Sequence, residues 1–395
     1  MPREIAPNVL SWASELDDVT REQAATTAKL PILAGHLALM PDAHLGKGAT
    51  IGSVIPTESA VIPSAVGVDI GCGMAARRLD LTQDGLPDSL EPWVTEMAST
   101  VPAGLGRWHG EPSGEALAWF AEHPPPPTLD DATKAAAQLG TLGSGNHFIE
   151  LATDEDSRIW ILLHSGSRGG GNKLATLHTK TARKLHEGLG TRLDDPELAW
   201  LQEGTPEFDT YLRDLRWSQA FAAENRRLML ASTHRALETV LGREVATEDE
   251  VNCHHNFTER EEHGGRSIWV TRKGAIRARV GDRGLIPGAM GQRSYVIRGR
   301  GNELAYASCA HGAGRRMSRR QARKQLSVES FSEAMAAAVW QHTSARELLD
   351  EHPSAYKPID VVMRDQADLV EIEHELHGIA NYKGVEAIRG SSRRQ

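Results

Sequence analysis

The stretch GVDIGCGM, residues 67–74, sets Asp69 and Cys72 three apart among Gly67, Gly71 and Gly73. Glycines do not supply the apolar packing that a structural thiol wants. Two chemical roles stand beside the structural one. A nucleophilic thiolate needs a neighbouring base and a lowered pKa. A metal-bound thiolate needs other soft or borderline donors, and imidazoles are such donors. Four of the seventeen histidines offer them in similar settings. His147 follows glycines in LGSGNHFIE, His164 ends an apolar run in LLHSGSRGGG, His255 stands in VNCHHNF, and His311 in ASCAHGAGR. A thiolate can bridge two cations, with Asp69 completing one of the sites. No short CxxC pair is present, so spacing alone leaves the three roles of Cys72 open. His109, His123, His186, His342 and His352 lie among polar or helical surface residues and read as solvated.

Two glycine-rich loops suggest phosphate chemistry. SGSRGGGN, residues 165–172, has the composition of an anion-cradling loop, with Arg168 able to fork onto phosphate oxygens. HGAGR, residues 311–315, again joins small residues to an arginine. Neither is a GxxxxGK[ST] loop, so no Walker-type nucleotide site is indicated. The formal net charge is −9, which argues against a general nucleic-acid coat. Yet residues 271–330 carry fourteen Lys and Arg against Asp282, Glu303 and Glu329, a local +11 within a chain whose remainder is −20. Such a stretch suits an anionic substrate, or else a set of solvated arginines.

These residues need elements to position them. A helix is expected over 20–34, capped by Thr20. The segment from Met40 to Met74 reads as short strands broken by Gly and Pro, and HPPPPT, 123–128, as a surface loop. RIWILL, 158–163, is a buried strand that delivers His164. The longest helical pattern runs from about 209 to 241, with Phe221 and Leu228, and Leu230 and Leu237, each seven apart. SIWVTRK, 267–273, and SYVIRG, 294–299, read as strands, and 317–350 as helix. Without a regular βαβ rhythm or a clear linker, one α+β unit over 1–390 is expected, with a disordered tail at 391–395. No apolar run approaches the roughly 18 residues that span a bilayer. Three cysteines and no signal-like N-terminus point to the cytoplasm.

In order along the chain, MPDAHLGKGATIGSVIP, GVDIGCGM, LGSGNHFIE, LHSGSRG, NCHHN, VTRKGA, IPGAMG, CAHGAGR and YKG resemble the RtcB family of RNA-splicing ligases. The resemblance runs from about residue 20 to 384. It implies a single domain with a β-sandwich-like core wrapped by helices, two Mn²⁺ ions and GTP as the energy source. Carried over by motif, Asp69, Cys72, His147, His164 and His255 look like the metal ligands, with Cys72 shared and His254 a neighbour. Softness rules favour zinc for such donors, whereas the resemblance implies manganese.

By the same resemblance, His311 is the nucleophile that becomes guanylylated. The GTP pocket would draw on Asn146, His147, Phe148, Ile149, Glu150, His255, Asn256, Pro287, Gly288, Ala289, Met290, Ser294, His311, Gly312, Ala313, Gly314, Tyr356 and Lys383. Arg168, Lys273, Arg315 and Arg319 look like RNA contacts. The substrate would be RNA with a 3′-phosphate or 2′,3′-cyclic phosphate and a 5′-hydroxyl. The protein is expected as a monomer off the membrane, with room for an activating protein. Ala289 replaces a serine common in the family, which removes one hydroxyl contact to the nucleotide, and Ala310 replaces another just before His311. The competing readings are a guanylylating paralogue that caps or repairs RNA or DNA 3′-phosphate ends without sealing, and a silent RNA-binding protein.

Overall fold

A computed structural model describes residues 1–190 and 192–384, so the expected tail at 391–395 lies outside the described residues. The chain is α+β. Among the described residues, two large sheets dominate. A seven-stranded sheet runs in the order Thr247–His254, Gly73–Thr82, Arg158–Ser165, Phe148–Thr153, Val370–Lys383, Arg293–Gly299 and Arg283–Ile286, every pairing antiparallel. A six-stranded sheet contains Leu37–His44 and Ile51–Thr57 near its middle, and Arg266–Lys273 and Asn256–His263 at one side.

Strand alternation fixes the layers. In Arg158–Ser165, Ile159, Ile161 and Leu163 face a core shared with Met229, Leu230 and Leu237 of the long helix Pro206–Leu241. Trp160 and Leu162 face the opposite core with Met74, Val251 and Leu376. Burial on both faces explains why RIWILL reads as a continuous apolar run, and each such side chain contributes about 1.5–3 kcal/mol relative to exposure. A third core joins Met40, Val54 and Val270 of the six-stranded sheet to Ile286, Tyr295 and Ile297 of the seven-stranded one. The two sheets therefore pack through their side chains, with helices outside.

The seam between the sheets positions the chemistry. Thr247–His254 belongs to one sheet and Asn256–His263 to the other, so His255 sits where the chain crosses. The Asp69–Cys72 turn leads directly into Gly73–Thr82, and His164 lies near the end of the strand beside it. Gly71 adopts φ +71°, and a Cβ there would come within 2.9 Å of the Gln219 backbone on the long helix. Only glycine lets the turn dock this closely.

Some local expectations need correction. The first helix spans Asp18–Thr27 and not 20–34, because Pro31 follows closely and Asp17 is the cap. Asp17 accepts from the Thr20 amide at 2.8 Å and also from the Thr20 hydroxyl. The expected helix over 317–350 is broken into Arg319–Gln325, Val328–Ala334 and short 3-10 turns. Leu326 is extended and Ser327 caps anew, which interrupts the helix. SGSRGGGN is not an open loop, since Arg168 begins the helix Arg168–Gly188. His186 and His352 are buried rather than solvated. His186 packs edge-on against Trp200 and hydrogen-bonds its backbone, and His352 accepts from the Ser354 amide.

Candidate active site

Five donors converge at the seam. Cys72 is 3 % exposed, and its Sγ lies 3.5 Å from His147 Nε2 and 3.3 Å from His164 Nε2. His164 Nε2 stands 3.3 Å from His255 Nε2, and His147 Nε2 stands 3.0 Å from an Asp69 oxygen. Two groups able to hold a cation result, Asp69–Cys72–His147 and Cys72–His164–His255, and they share Cys72.

The hydrogen bonds behind the rings decide what these atoms present. His147 Nδ1 lies 2.9 Å from the Leu142 carbonyl, and His164 Nδ1 lies 3.1 Å from the Asn146 carbonyl. A carbonyl only accepts, so each Nδ1 donates to it and each Nε2 is the ring nitrogen turned into the cluster, where a cation would take the place of any proton it carries. Burial holds His164 and His255 well below the ordinary imidazole range, with neighbouring histidines adding to the effect. Burial, then the Asp69 charge, pushes the Cys72 thiol up. Burial also raises Asp69, but the His147 hydrogen bond and charge outweigh it and leave the carboxyl below its ordinary value. Lone pairs and a carboxylate facing one another are a donor set that a divalent cation fits.

Asp69 is held from behind as well. The Ser167 amide donates to Asp69 Oδ1 at 3.0 Å, so the start of the Arg168–Gly188 helix cradles this carboxylate. A Cβ on Gly166 would fall 2.2 Å from the same oxygen. His254 turns away from the cluster. Its Nδ1 lies 2.9 Å from the Gly71 carbonyl, and burial, then the Arg226 charge, lowers it to about 3.

His311 stands beside this cluster, its ring 4.8 Å from that of His255. Its Nδ1 is 2.5 Å from Asp42 Oδ2, and the same oxygen accepts from the His311 amide at 3.0 Å. The carboxylate takes the hydrogen bond from Nδ1 and leaves Nε2 as the other ring nitrogen, the atom a nucleophile would use.

Two cavities meet at His311. The first, about 320 Å³, is lined by Asn146, Phe148, Glu150, Pro287, Gly288, Ala289, Met290, Ser294, Gly312, Ala313, Gly314, Tyr356 and Lys383, together with Arg315 and Arg319. The second, about 370 Å³, is lined by Asp69, Cys72, His255, Asn256 and Lys273 together with part of the Arg168–Gly188 helix. Of the residues expected around the nucleotide, His255 and Asn256 thus line the second cavity. Ile149 lines neither, because it alternates with Phe148 and Glu150 along the strand and faces the helix-side core. His147 offers the first cavity's Lys383 only its carbonyl, at 3.2 Å.

Residues 23–123 and 118–384 match the family described as tRNA-splicing ligase RtcB. The chain belongs to the RtcB family. The RNA-splicing ligase RtcB of Escherichia coli K12 is 44% identical over 390 residues, covering 92% of this chain and 94% of that relative. The RNA-splicing ligase RtcB of Mycobacterium tuberculosis is 30% identical, covering 86% and 94%. The tRNA-splicing ligase RtcB of Nanoarchaeum equitans is 29% identical, covering 95% and 92%.

Several residues of this RtcB chain escaped the sequence reading. Asp42 lies inside the quoted run MPDAHLGKG, but its partner is 269 positions away. Asn225 and Arg226 sit mid-helix with no local signal. Arg226, fully buried, donates to the Gly71 and Ser165 carbonyls at 2.9 and 3.0 Å and to Asn252 Oδ1 at 2.8 Å. Gly71 and Ser165 each adjoin a cluster residue. Asn225 bonds the Thr141 and Gly166 carbonyls. In the first cavity, Lys383 pairs with Glu351 at 3.2 Å, and burial raises Glu150 to about 7.

The basic stretch is largely neutralised. Arg272 pairs with Glu261, Arg277 with Glu259 and Asp282, Arg279 with Glu261, and Arg283 with Asp249 and Glu373. Arg293 pairs with Glu375 and Asp360, Arg298 with Glu373, and Arg316 with Glu15. Arg315, Arg319 and Arg323 converge on Asp350 and Glu351. Arg168 donates to Thr141 Oγ1 at 3.1 Å and lines neither cavity. Lys273 donates to the Ser64 carbonyl at 3.1 Å, and burial lowers it to about 8.

Proposed function

We infer that this RNA ligase joins an RNA 3′-phosphate to a 5′-hydroxyl at the expense of GTP, through a guanylyl group carried on His311. A 2′,3′-cyclic phosphate would first be opened by water to the 3′-phosphate. The observation that carries the reading is the Asp42–His311 pair at the junction of the two cavities: His311 lines both, and with Nδ1 turned to the carboxylate, Nε2 is the nitrogen left to react.

The chemistry divides a hard displacement into easier ones. His311 Nε2 attacks the α-phosphorus of GTP; an N–P bond forms, the bond to the β-phosphate oxygen breaks, and pyrophosphate leaves with the electron pair. Asp42 stabilises the positive charge that develops on the ring. An oxygen of the RNA 3′-phosphate then attacks the same phosphorus, and the N–P electrons return to Nε2. Finally the 5′-hydroxyl oxygen attacks the RNA phosphorus, its proton is lost, and GMP leaves with the P–O electrons. Asp69, Cys72, His147, His164 and His255 would hold two divalent cations, manganese in this reading, which neutralise phosphate charge. The first cavity is the nucleotide pocket of the proposal.

The test is to incubate the protein with Mn²⁺ and GTP labelled at the α-phosphate, denature it, and locate the label. Wild type should retain label at His311. A wild-type protein without label, or His311→Ala with label, would overturn the assignment. One RNA bearing 2′,3′-cyclic phosphate and 5′-hydroxyl ends then separates sealing from capping. A joined product supports the ligase, and accumulation of a guanylylated 3′ end supports the capping paralogue.

A further inference from the structure

Cations without an ion-pair partner also lie outside the stretch in which the sequence concentrates them. On the helix Arg168–Gly188, Lys173, Lys180 and Lys184 are exposed and form one stripe, at spacings of seven and four. None has a carboxylate within ion-pair distance among the described residues. Lys180 and Arg183 line the second cavity together with the candidate cation ligands Asp69 and Cys72. Arg183 and Lys47 share a single carboxylate oxygen, Glu197 Oε1, at 3.3 and 3.4 Å, so two charges meet one. With Lys180 and Lys273, the acidic Asp69 and Glu197 leave this wall net positive. Val68, 52 % exposed, forms an apolar lip suited to a ribose or base.

Resting on the ligase reading, we propose that the second cavity holds the RNA strand that ends in the 3′-phosphate, with its backbone phosphates against Lys180, Arg183 and Lys47. Four features favour this occupant. The cavity touches His311, so a terminal phosphate lodged there can reach a group carried on Nε2. A 3′-phosphorylated end carries more charge than a 5′-hydroxyl end, which matches the excess of cations over carboxylates and the candidate metal donors lining one cavity. Phosphate contacts come from exactly such Lys, Arg and hydroxyl side chains, and Thr176 and Thr179 supply hydroxyls along the same face. The stripe from Lys173 to Lys184 continues the positive surface for roughly 16 Å of helix, the direction in which the strand leaves the cavity.

The test titrates a labelled single-stranded RNA with a 3′-phosphate into wild type, Lys180→Gln, Lys180→Glu and Lys324→Glu at several salt concentrations. Lys324 belongs to the basic stretch 271–330 and also lacks a carboxylate partner among the described residues. Lys180→Gln should reduce the salt slope by about 0.7, one phosphate contact on a single strand, and Lys180→Glu should weaken binding further. Lys324→Glu should bind as wild type does. Wild-type binding in both Lys180 variants, or an equal loss in Lys324→Glu, overturns the proposal, as does a wild type that binds no such RNA. Labelling of His311 from GTP is measured in the wild-type sample as well. Absence of that label in wild type would defeat the ligase reading, while the binding data would still judge the cavity.

Discussion

The two ends of the site are held by different devices. Around Cys72, the turns carrying the donors are tied together through their backbones, by Arg226 on the Gly71 and Ser165 carbonyls and Asn225 on the Thr141 and Gly166 carbonyls. At His311, one side-chain carboxylate, Asp42, takes the ring and the local amide together. The contrast fits the tasks proposed for the two ends. A cation site needs several distant chain segments fixed relative to one another, and only a group that reaches many backbones can do that. A nucleophile needs one tautomer and one orientation, which a single acceptor supplies.

The comparison can be broken in order of expected effect. His311→Ala should abolish guanylylation entirely while bound manganese, measured by elemental analysis, stays at the wild-type level. Cys72→Ala should empty both candidate cation groups; unchanged metal content would refute the shared thiolate. Asp42→Asn should slow labelling from GTP by about 10²-fold or more, by analogy with other carboxylate–histidine pairs, and spare the metal. Arg226→Lys should do the reverse. With fewer carbonyls satisfied it should lower stability by about 1–3 kcal/mol and weaken metal binding, while His311 keeps its tautomer. If Asp42→Asn strips metal or Arg226→Lys spares it, the division of labour is wrong.

The smallest effect concerns Glu150. Its folded-state pKa of about 7, raised from 4.5 chiefly by burial, means that the native protein binds the proton more tightly than the unfolded chain. Stability from this group is therefore present below about 4.5 and lost as pH rises through 7. Melting temperatures of wild type and Glu150→Gln across pH 4.5–8 should diverge, the variant lacking that part of the decline.

What the residues disclosed before folding was uneven. The glycine-flanked Cys72 and the histidines at strand ends could be picked out because local composition betrayed a close approach. RIWILL declared its strand through a continuous apolar run that two buried faces require. Asp42 and Arg226 could not be found this way, because their meaning lies in partners far along the chain. The fourteen basic residues of 271–330 misled for the same reason, since acids such as Asp249, Asp350 and Glu373 cancel most of them only in three dimensions. The 317–350 segment shows the limit of helical composition, where one extended Leu326 divided what looked continuous.

The crossing at His255 has a consequence for folding. Because the chain leaves one sheet just before this residue and joins the other just after it, an ion gripping His255 together with Cys72 and His164 would pin the two sheets to each other at their seam. Ligand occupancy and the alignment of the sandwich would then be one equilibrium. Damage to the inter-sheet core far from any reacting atom would surface first as a loosened grip on the ion, and the ion in turn would act as a fastener for the fold.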